Sequence, residues 1–507
     1  MTLNTFFEKF ALFADAPDAV GKMRELVLRL ALHGGFSGDD STLWKSAELG
    51  DLLEVQNGFA FKSSFFNEVR QGMPLIRIRD IASEDTQVYY SGEYRDEFIV
   101  RKGDLIIGMD GNFNIHRWKG VNALLNQRVC RLVDISPEID QQFLFYFVQE
   151  HLDEIHRNTT YTTVKHISSK QIRAIEFPLP PLDEQKRIVA KVDELMALCD
   201  RLEAQQQERE QQHTALSRAS LARFADAPTP ANLQLLFQKS YTISPADLRK
   251  SILTLAVQGK LVAQDPNDEP AEELFGRIER TKEKLITERT IKRVAVEANP
   301  SGDECESLPP GWLWTRLGNS FDVRDGTHDT PKYTTEGFPL ITSKNIYSGS
   351  LLFDGANLIS EKDHRQISER SRVDRRDILF AMIGSIGNPV IVDTDREFSI
   401  KNVALFKYYT SADSEPRFLL LYLQLVAAEM KAKAAGGVQS FVSLGFLRNY
   451  LFPLPPLAEQ RRIVAKVDQL MALVDALETQ LSASRATAKN LLDALVAELT
   501  SGSQKAS

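Results

Sequence analysis

The sequence predicts an α+β protein: two globular mixed α/β domains linked by two long antiparallel coiled-coil helices, pseudo-two-fold symmetric. Three observations predict this: a long internal repeat, a seam of apolar residues after each copy, and short strand-like runs between glycine- and asparagine-rich turns. Residues Phe177–Gln205 read FPLPPLDEQKRIVAKVDELMALCDRLEAQ, and Phe452–Gln480 read FPLPPLAEQRRIVAKVDQLMALVDALETQ, an offset of 275 residues. Weaker anchors extend the repeat upstream: Ala47–Gly50 with Thr315–Gly318, Gly72–Ile76 with Gly337–Ile341, and Lys102–Ile106 with Arg375–Leu379. Between the anchors the copies differ freely. One scaffold therefore carries two different contents, which suits two related but non-identical ligands.

In chain order, residues 1–40 form an N-terminal helical region and 41–181 a first mixed domain, with strand-like runs at Leu75–Ile78 and Asp104–Ile107 and a helix at Gln142–Glu154. Pro180-Pro181 then sets an extended approach to a helix over 182–225, with Glu184 in its first turn, where the helix dipole favours an acid. Its seam runs Ile188, Val192, Leu195, Cys199 and Leu202; it turns polar at Gln206, Arg209 and His213 and resumes at Leu216. A helical connector spans 226–305. Ser244-Pro245 caps one helix that stops at Gly259, and Glu272–Arg293 reads as a charged helix with little apolar face.

The second domain, 306–456, shows strand-like runs at Leu340–Ile341, Ile378–Met382 and Val390–Val392 and a helix at Arg417–Lys431. The last helix, 457–507, carries the seam Ile463, Val467, Leu470, Val474, Leu477 and Leu481. Each helical pattern lasts about 40 residues, or about 60 Å. Neither helix can bury its stripe alone, so the two are expected to pack on each other, antiparallel, placing one domain at each end of a dumbbell.

Composition bounds the function. The chain has 507 residues, 43% hydrophobic and 26% charged, which is globular rather than disordered. No apolar run approaches the ~20 residues of a membrane span, and the N-terminus lacks a secretory pattern. Cys130, Cys199 and Cys305 are scattered, with neither disulfide nor metal spacing, which points to a reducing cytoplasm. The net charge of -8 is a caution against nucleic-acid binding, although acidic helices can offset basic faces elsewhere.

The repeated FPLPPLxEQxRIVAKVDxLMAL, together with GWLWTRLGN (Gly311–Asn319), DGTHDTPKYTTEGFPLITSKNI (Asp325–Ile346) and LRKSILTLAVQGKLVAQDPNDEP (Leu248–Pro270), resembles the specificity subunits of type I restriction-modification systems, in the right order over nearly the whole chain. The resemblance implies that 41–181 and 306–456 are target-recognition domains, each reading one half of a gapped, asymmetric DNA site. The helices would then be spacers that dock two adenine methyltransferase subunits. Those partners would use S-adenosylmethionine, and motor-nuclease subunits using ATP and Mg would join them. In agreement, the chain has no Asn-Pro-Pro motif and no phosphate loop of the Gly-x-x-x-x-Gly-Lys-Ser/Thr kind. It also has no His or Cys cluster at metal spacing, so no catalytic residue, cofactor or metal is expected in it. Alternatives are the specificity subunit of a methylation-only system, a self-contained modification enzyme, and a coiled-coil assembly protein.

DNA contacts should come from basic, amide and small polar residues on loops near aromatics. In the first domain these are Asn112, Asn114, His116, Arg117, Trp118 and Lys119, then Thr160, Tyr161, Thr162, Thr163, Lys165 and His166. In the second they are Thr327, His328, Lys332, Tyr333, Ser343, Lys344 and Asn345, then Gly437, Gln439, Ser440 and Phe441. The glycine pairs Gly108/Gly111 and Gly384/Gly387 read first as turn residues after strands.

Overall fold

Seven helices carry the architecture: α1 (Ala19–Leu32), α2 (Gln141–Asn158), α3 (Leu182–Asp226), α4 (Pro245–Val257), α5 (Ala271–Thr287), α6 (Pro416–Ala434) and α7 (Leu457–Gln504). The computed structural model describes residues 16, 18–32, 36, 44–83, 85–111, 113–158, 166–238, 241–300, 307–347, 349–434 and 441–504. The fold is two mixed α/β domains with long helices that pair. The chain divides into two compact units, Met1–Glu210 with Leu481–Ser507, and Gln211–Gln480.

In the first unit, β1 (Lys45–Glu48) pairs antiparallel with the exit strand at 176–179, so the domain is closed where the chain enters and leaves it. Between them lie β2 (Glu54–Asn57), β3 (Met73–Ile76), β4 (Leu105–Gly108), β5 (Ile115–Arg117), β6 (Ala123–Leu125) and β7 (Val129–Val133), followed by the exit strand β8 (Glu176–Leu179). One sheet has the order β2-β7-β4-β5. A second is built around the parallel pair β3 and β6, with Leu75 opposite Leu124.

The second unit repeats this plan. Its strands are β9 (Leu313–Arg316), β10 (Asp322–Asp325), β11 (Phe338–Ile341), β12 (Ile378–Ala381), β13 (Gly387–Ile391), β14 (Ser399–Ile400), β15 (Val403–Lys407) and β16 (Leu451–Leu454). β9 pairs with β16, the sheet order is β10-β15-β12-β13, and β11 runs parallel to β14. The predicted strands and domain helices fall on observed ones, with ends moved by a few residues.

The repeat extends to single side chains. Arg173 donates to the Val55 carbonyl at 3.0 Å, and Arg448 to the Val323 carbonyl at 2.8 Å. At the Pro-Pro helix starts, the buried Gln185 and Gln460 each donate to a carbonyl five residues back, Pro180 and Pro455, both at 2.9 Å. That local lock explains why the glutamine recurs in both copies. Asp193 accepts from the Tyr146 hydroxyl at 2.5 Å, while its counterpart Asp468 takes a bidentate Arg417 at 2.5 Å, so each long helix is tied to its own domain's helix.

The seam has two destinations. Ile188, Val192 and Leu195 are buried with Phe143, Phe147 and Phe177 in the first domain's core. Ile463, Val467, Leu470 and Val474 are likewise buried in one cluster with Trp312 and Phe418, Leu477 packing at its edge. The front turns thus serve the domains they leave, because a stripe entering beside an apolar sheet and helix is covered at once. In the pairing of the long helices, the later turns of each share a cluster with the earlier half of the other. Cys199 and Leu202 share a cluster with Ala488, Leu491 and Leu492 of α7, with α1 contributing Met23 and Leu26. In the second unit Leu221 and Phe224 of α3 share a cluster with the front of α7 and with Leu248 and Ile252 of α4. Leu481 is half-buried.

The connector needs one correction. The predicted charged helix ends at Thr287, with Arg289 in the left-handed region, and it buries Ala271, Leu274, Phe275 and Ile278. That stripe, at steps of three, one and three, is narrow enough to be hidden among charges in the sequence. Ser244 caps α4 as expected, accepting from the Asp247 amide, and Gly259 turns the chain at φ 66°.

Candidate nucleic-acid interface

In each domain the two sheets meet where the parallel strand pair ends, and the loops converge there. β2 leads into Gly58, whose amide donates to the Val129 carbonyl, and the Phe59 amide donates to Leu125, both at 2.9 Å. In the second domain the Gly326 amide donates to Val403 at 3.0 Å, and that of Thr327 to Ile400 at 3.0 Å. Both glycines are required by close approach: a Cβ at Gly58 would lie 2.0 Å from the Asn126 oxygen, and one at Gly326 2.1 Å from the Ile400 oxygen. These crossings hold the loops after residues 58 and 326 against the turns at Asn126–Arg128 and Lys401–Asn402. A third segment joins on the far side of the central strand, through bridges between Asp110 and His166 and between Ile383 and Phe441.

This convergence gathers many predicted residues. His166, beside Asp110 at 2.6 Å, lies at it in the first domain. Thr327, His328 and Phe441 lie at it in the second, with Ser343 close to Gly384. Lys332 is exposed in the loop that leaves Thr330, whose hydroxyl bonds the Lys401 amine, and Tyr333 is exposed at the start of a short strand paired with Ile359; Lys344 is exposed next to Ser343. Residues Asn112, Thr160, Tyr161, Thr162, Thr163, Lys165, Gly437, Gln439 and Ser440 lie outside the described residues.

Other predicted residues fall elsewhere. Asn114, His116 and Arg117 sit on or beside β5, the edge of the first sheet, against α2. Asn114 accepts from Gln149 at 3.2 Å, and Arg117 donates to Gln142 at 3.2 Å. Lys119 is exposed just beyond. Two choices are corrected. Trp118 is 1% exposed, and its indole N–H donates to the Val121 carbonyl at 2.8 Å, so it is a core residue of the first domain. Asn345 is buried and holds its own turn, accepting from the Thr342 amide and donating to the Leu352 carbonyl. An amide beside Ser and Lys reads as a surface group until the turn that consumes it is seen.

The sequence reading passed over Phe59, Asp110, Arg128, Asp325, Arg370, Lys401 and Asn402, all at or beside the convergence. Their signal was positional: they flank the repeat's Asn/Asp-Gly and parallel-strand anchors. Asp325 binds Arg370 and also meets His328 Nε2 at 2.9 Å, while His328 Nδ1 lies 3.1 Å from Asn402. Burial pulls the nearby Arg448 guanidinium below its ordinary value, with Asp325 and Asp322 opposing. Around Phe59 the first domain has aromatic surface instead: Phe59 contacts Phe61 and Phe98, with the Arg95 guanidinium 5.1 Å from the Phe98 ring centre.

Chemical machinery is sparse. Among the described residues no group of three His, Cys, Asp or Glu could hold a metal, and no helix is long and apolar enough to cross a membrane. Burial pushes the Cys130 thiol up to about 12 and that of Cys199 to about 11, so neither is a thiolate near neutral pH.

Comparison with known proteins accounts for this architecture. The family described as type I restriction modification DNA specificity domain matches residues 42–210 and 312–484, one copy per domain and helix, and the chain belongs to that family. It is a type I restriction-modification specificity subunit, the non-catalytic chain of such systems. The EcoBI specificity subunit of Escherichia coli is 29% identical over 477 residues, 93% of this chain and 88% of that one. The EcoAI specificity subunit of Escherichia coli is 32% identical over 345 residues, 63% and 57% of the two chains. A solved structure, described as the structural basis of complex assembly and conformational transition of the type I R-M system, shares the fold. It has a TM-score of 0.51 at 18% identity, covering 90% of this chain and 97% of that one.

Proposed function

We propose that each domain, 41–181 and 306–456, reads one half of a gapped, two-part DNA sequence through its converging loops. The observation that carries this is that two matching frames hold chemically different loops at the same end: Phe59 follows Gly58 in one, and Thr327 and His328 follow Gly326 in the other. A duplicated frame with a constant core and divergent tips suits two base sequences held in one register. The contacting residues would be His166 with the segment before it, and Thr327, His328, Lys332, Tyr333, Ser343, Lys344 and Phe441 with the segment before that one.

The long helices, 45 and 48 residues, act as spacers that set the gap. They also dock two methyltransferase subunits, each of which methylates an adenine with S-adenosylmethionine. Motor-nuclease subunits using ATP and Mg join this assembly, which acts in the cytoplasm against foreign DNA. Adenine methylation requires a flipped base, so this chain's task is to keep register while its partners distort the duplex.

Single-molecule methylome sequencing of the host with and without this gene, the partner methyltransferase being expressed in both, tests the reading. One gapped, two-part adenine motif should vanish on deletion. A methylome unchanged by deletion, with the methyltransferase active, removes the DNA-reading role.

A further inference from the structure

Each domain places one carboxylate beneath one histidine and one arginine at its convergent end. In the first, Asp110 holds His166 at 2.6 Å and Arg128 at 3.4 Å; the His and Arg side chains are 46% and 58% exposed, the acid 25%. In the second, Asp325, only 4% exposed, holds His328 at 2.9 Å together with Arg370, whose side chains are 53% and 60% exposed.

The two trios do not occupy equivalent positions. Asp325 ends β10, on one flank of the central strand β15, whereas Asp110 follows β4, on the other flank of the central strand β7. Arg128 belongs to the turn after β6, and Arg370 to the end of the helix Glu361–Ser371. Duplication of the frame therefore does not account for the trio. The same chemistry is assembled twice from different residues, on opposite flanks of the two central strands.

We propose that Arg128 and Arg370 are specificity-determining residues, each presenting its guanidinium to a guanine edge in its own half-site, with Asp110 and Asp325 as positioning residues. This rests on the DNA-reading role proposed above. A guanidinium's fork matches guanine O6 and N7, and the match is useful only when the fork is held in orientation. A carboxylate on one side of the fork supplies that orientation and leaves other N–H groups for the base. Base rather than phosphate is favoured by the surroundings of Arg370. It lines a depression of about 240 Å³ with Thr327, Gln366 and the acids Asp329 and Asp363. Those acids repel a phosphate oxygen, and beside a guanine edge they can accept from the N4 amine of the paired cytosine.

The test uses the assembled methyltransferase complex and its own motif, defined by the methylome experiment. Methylation rates are measured on the cognate duplex and on duplexes with each guanine of one half-site replaced. The wild-type complex should lose ~5- to 150-fold on replacement of the guanine that Arg370 reads. Arg370→Ala should lose a similar factor on the cognate duplex and nothing further on the replaced one, leaving the other half-site untouched. Asp325→Asn should move discrimination the same way by a smaller factor, and Arg370→Lys should not restore it. Arg128→Ala should do the same in the opposite half-site.

Equal weakening on every duplex would mark a phosphate contact and overturn the proposal while leaving DNA reading intact, as would unchanged discrimination. If Arg370→Ala abolishes all methylation, Arg370→Gln in complexes checked for intact assembly decides. Discrimination retained at that guanine overturns the proposal; discrimination lost there alone supports it.

Discussion

His364 shows how far a side chain's role depends on what folds over it. It sits on a helix rich in charge, yet it is buried, stacks on Phe338 with ring centres 4.1 Å apart, and meets Ser399 Oγ at 2.9 Å. Burial lowers its pKa from the ordinary 6.5; Glu397 and Glu361 oppose the shift more weakly. A folded-state value below the unfolded one means that the unfolded chain binds the extra proton first as pH falls. The stabilisation is therefore complete above pH 6.5 and is lost as pH falls through the unfolded value towards the folded one. Thermal melts of wild type and His364→Gln between pH 8 and 5.5 check this. The variant should start lower, having lost the ring stack, and fall less steeply with acid; parallel curves would refute the assignment. The same dependence on context limited the sequence reading of the site. Trp118 and Asn345 had the right chemistry for DNA and the wrong surroundings, while Asp110 and Asp325 had the reverse. Only the folded chain shows that Asn345 closes its own turn or that Asp325 lies beneath an arginine.

At the scale of elements, the short helices α1 and α4 make matching contacts with the long ones. Arg24 donates to Asp200 and Glu203 at 2.7 and 2.6 Å, and Arg249 to Asp475 and Glu478 at 2.7 and 2.6 Å. The four acids are roughly half to two-thirds exposed, so solvent screening holds each pair to about 0.2–1 kcal/mol. The apolar faces beneath are different: Leu26 and Ile252 are each 1% exposed. Leu26→Ala is expected to cost about 2–5 kcal/mol through lost burial and a residual cavity, and Arg24→Ala, which removes both of its pairs, no more than about 2 kcal/mol, shrinking further with salt. Denaturant melts of both variants in the assembled complex measure the ranking, and equal losses would show that the ion pairs hold the helix as firmly as the apolar face. Helices of this kind were legible in the sequence, because period, caps and repeat all agreed. The partition of the seam was not. Val192 and Cys199 fall at equivalent heptad positions, yet one is buried against a domain and the other in a helix cluster. Periodicity says that a face is covered and is silent about what covers it.

For the whole molecule, the proposed spacer role makes a quantitative demand on DNA. Both long helices are uninterrupted, Leu182–Asp226 and Leu457–Gln504, and neither contains proline within its body, so their length transmits without a kink. Removing one heptad from each shortens the spacer by ~10 Å, close to three base steps of ~3.4 Å. Seven residues keep the seam in phase, and the excision is best made between Leu202 and Leu216 and between Leu477 and Leu491. In the first window the stripe is already interrupted by Gln206, Arg209 and His213, and neither window cuts a domain core. Both half-sites should keep their bases, because the converging loops are untouched, while the gap contracts by about three base pairs. Excision from one helix alone should instead break the match between paired segments and lower the melting temperature. Methylome sequencing reads gap and half-sites together. A motif with its original gap, from a doubly shortened chain that still assembles and methylates, would show that the helices join the two readers without measuring the distance between them.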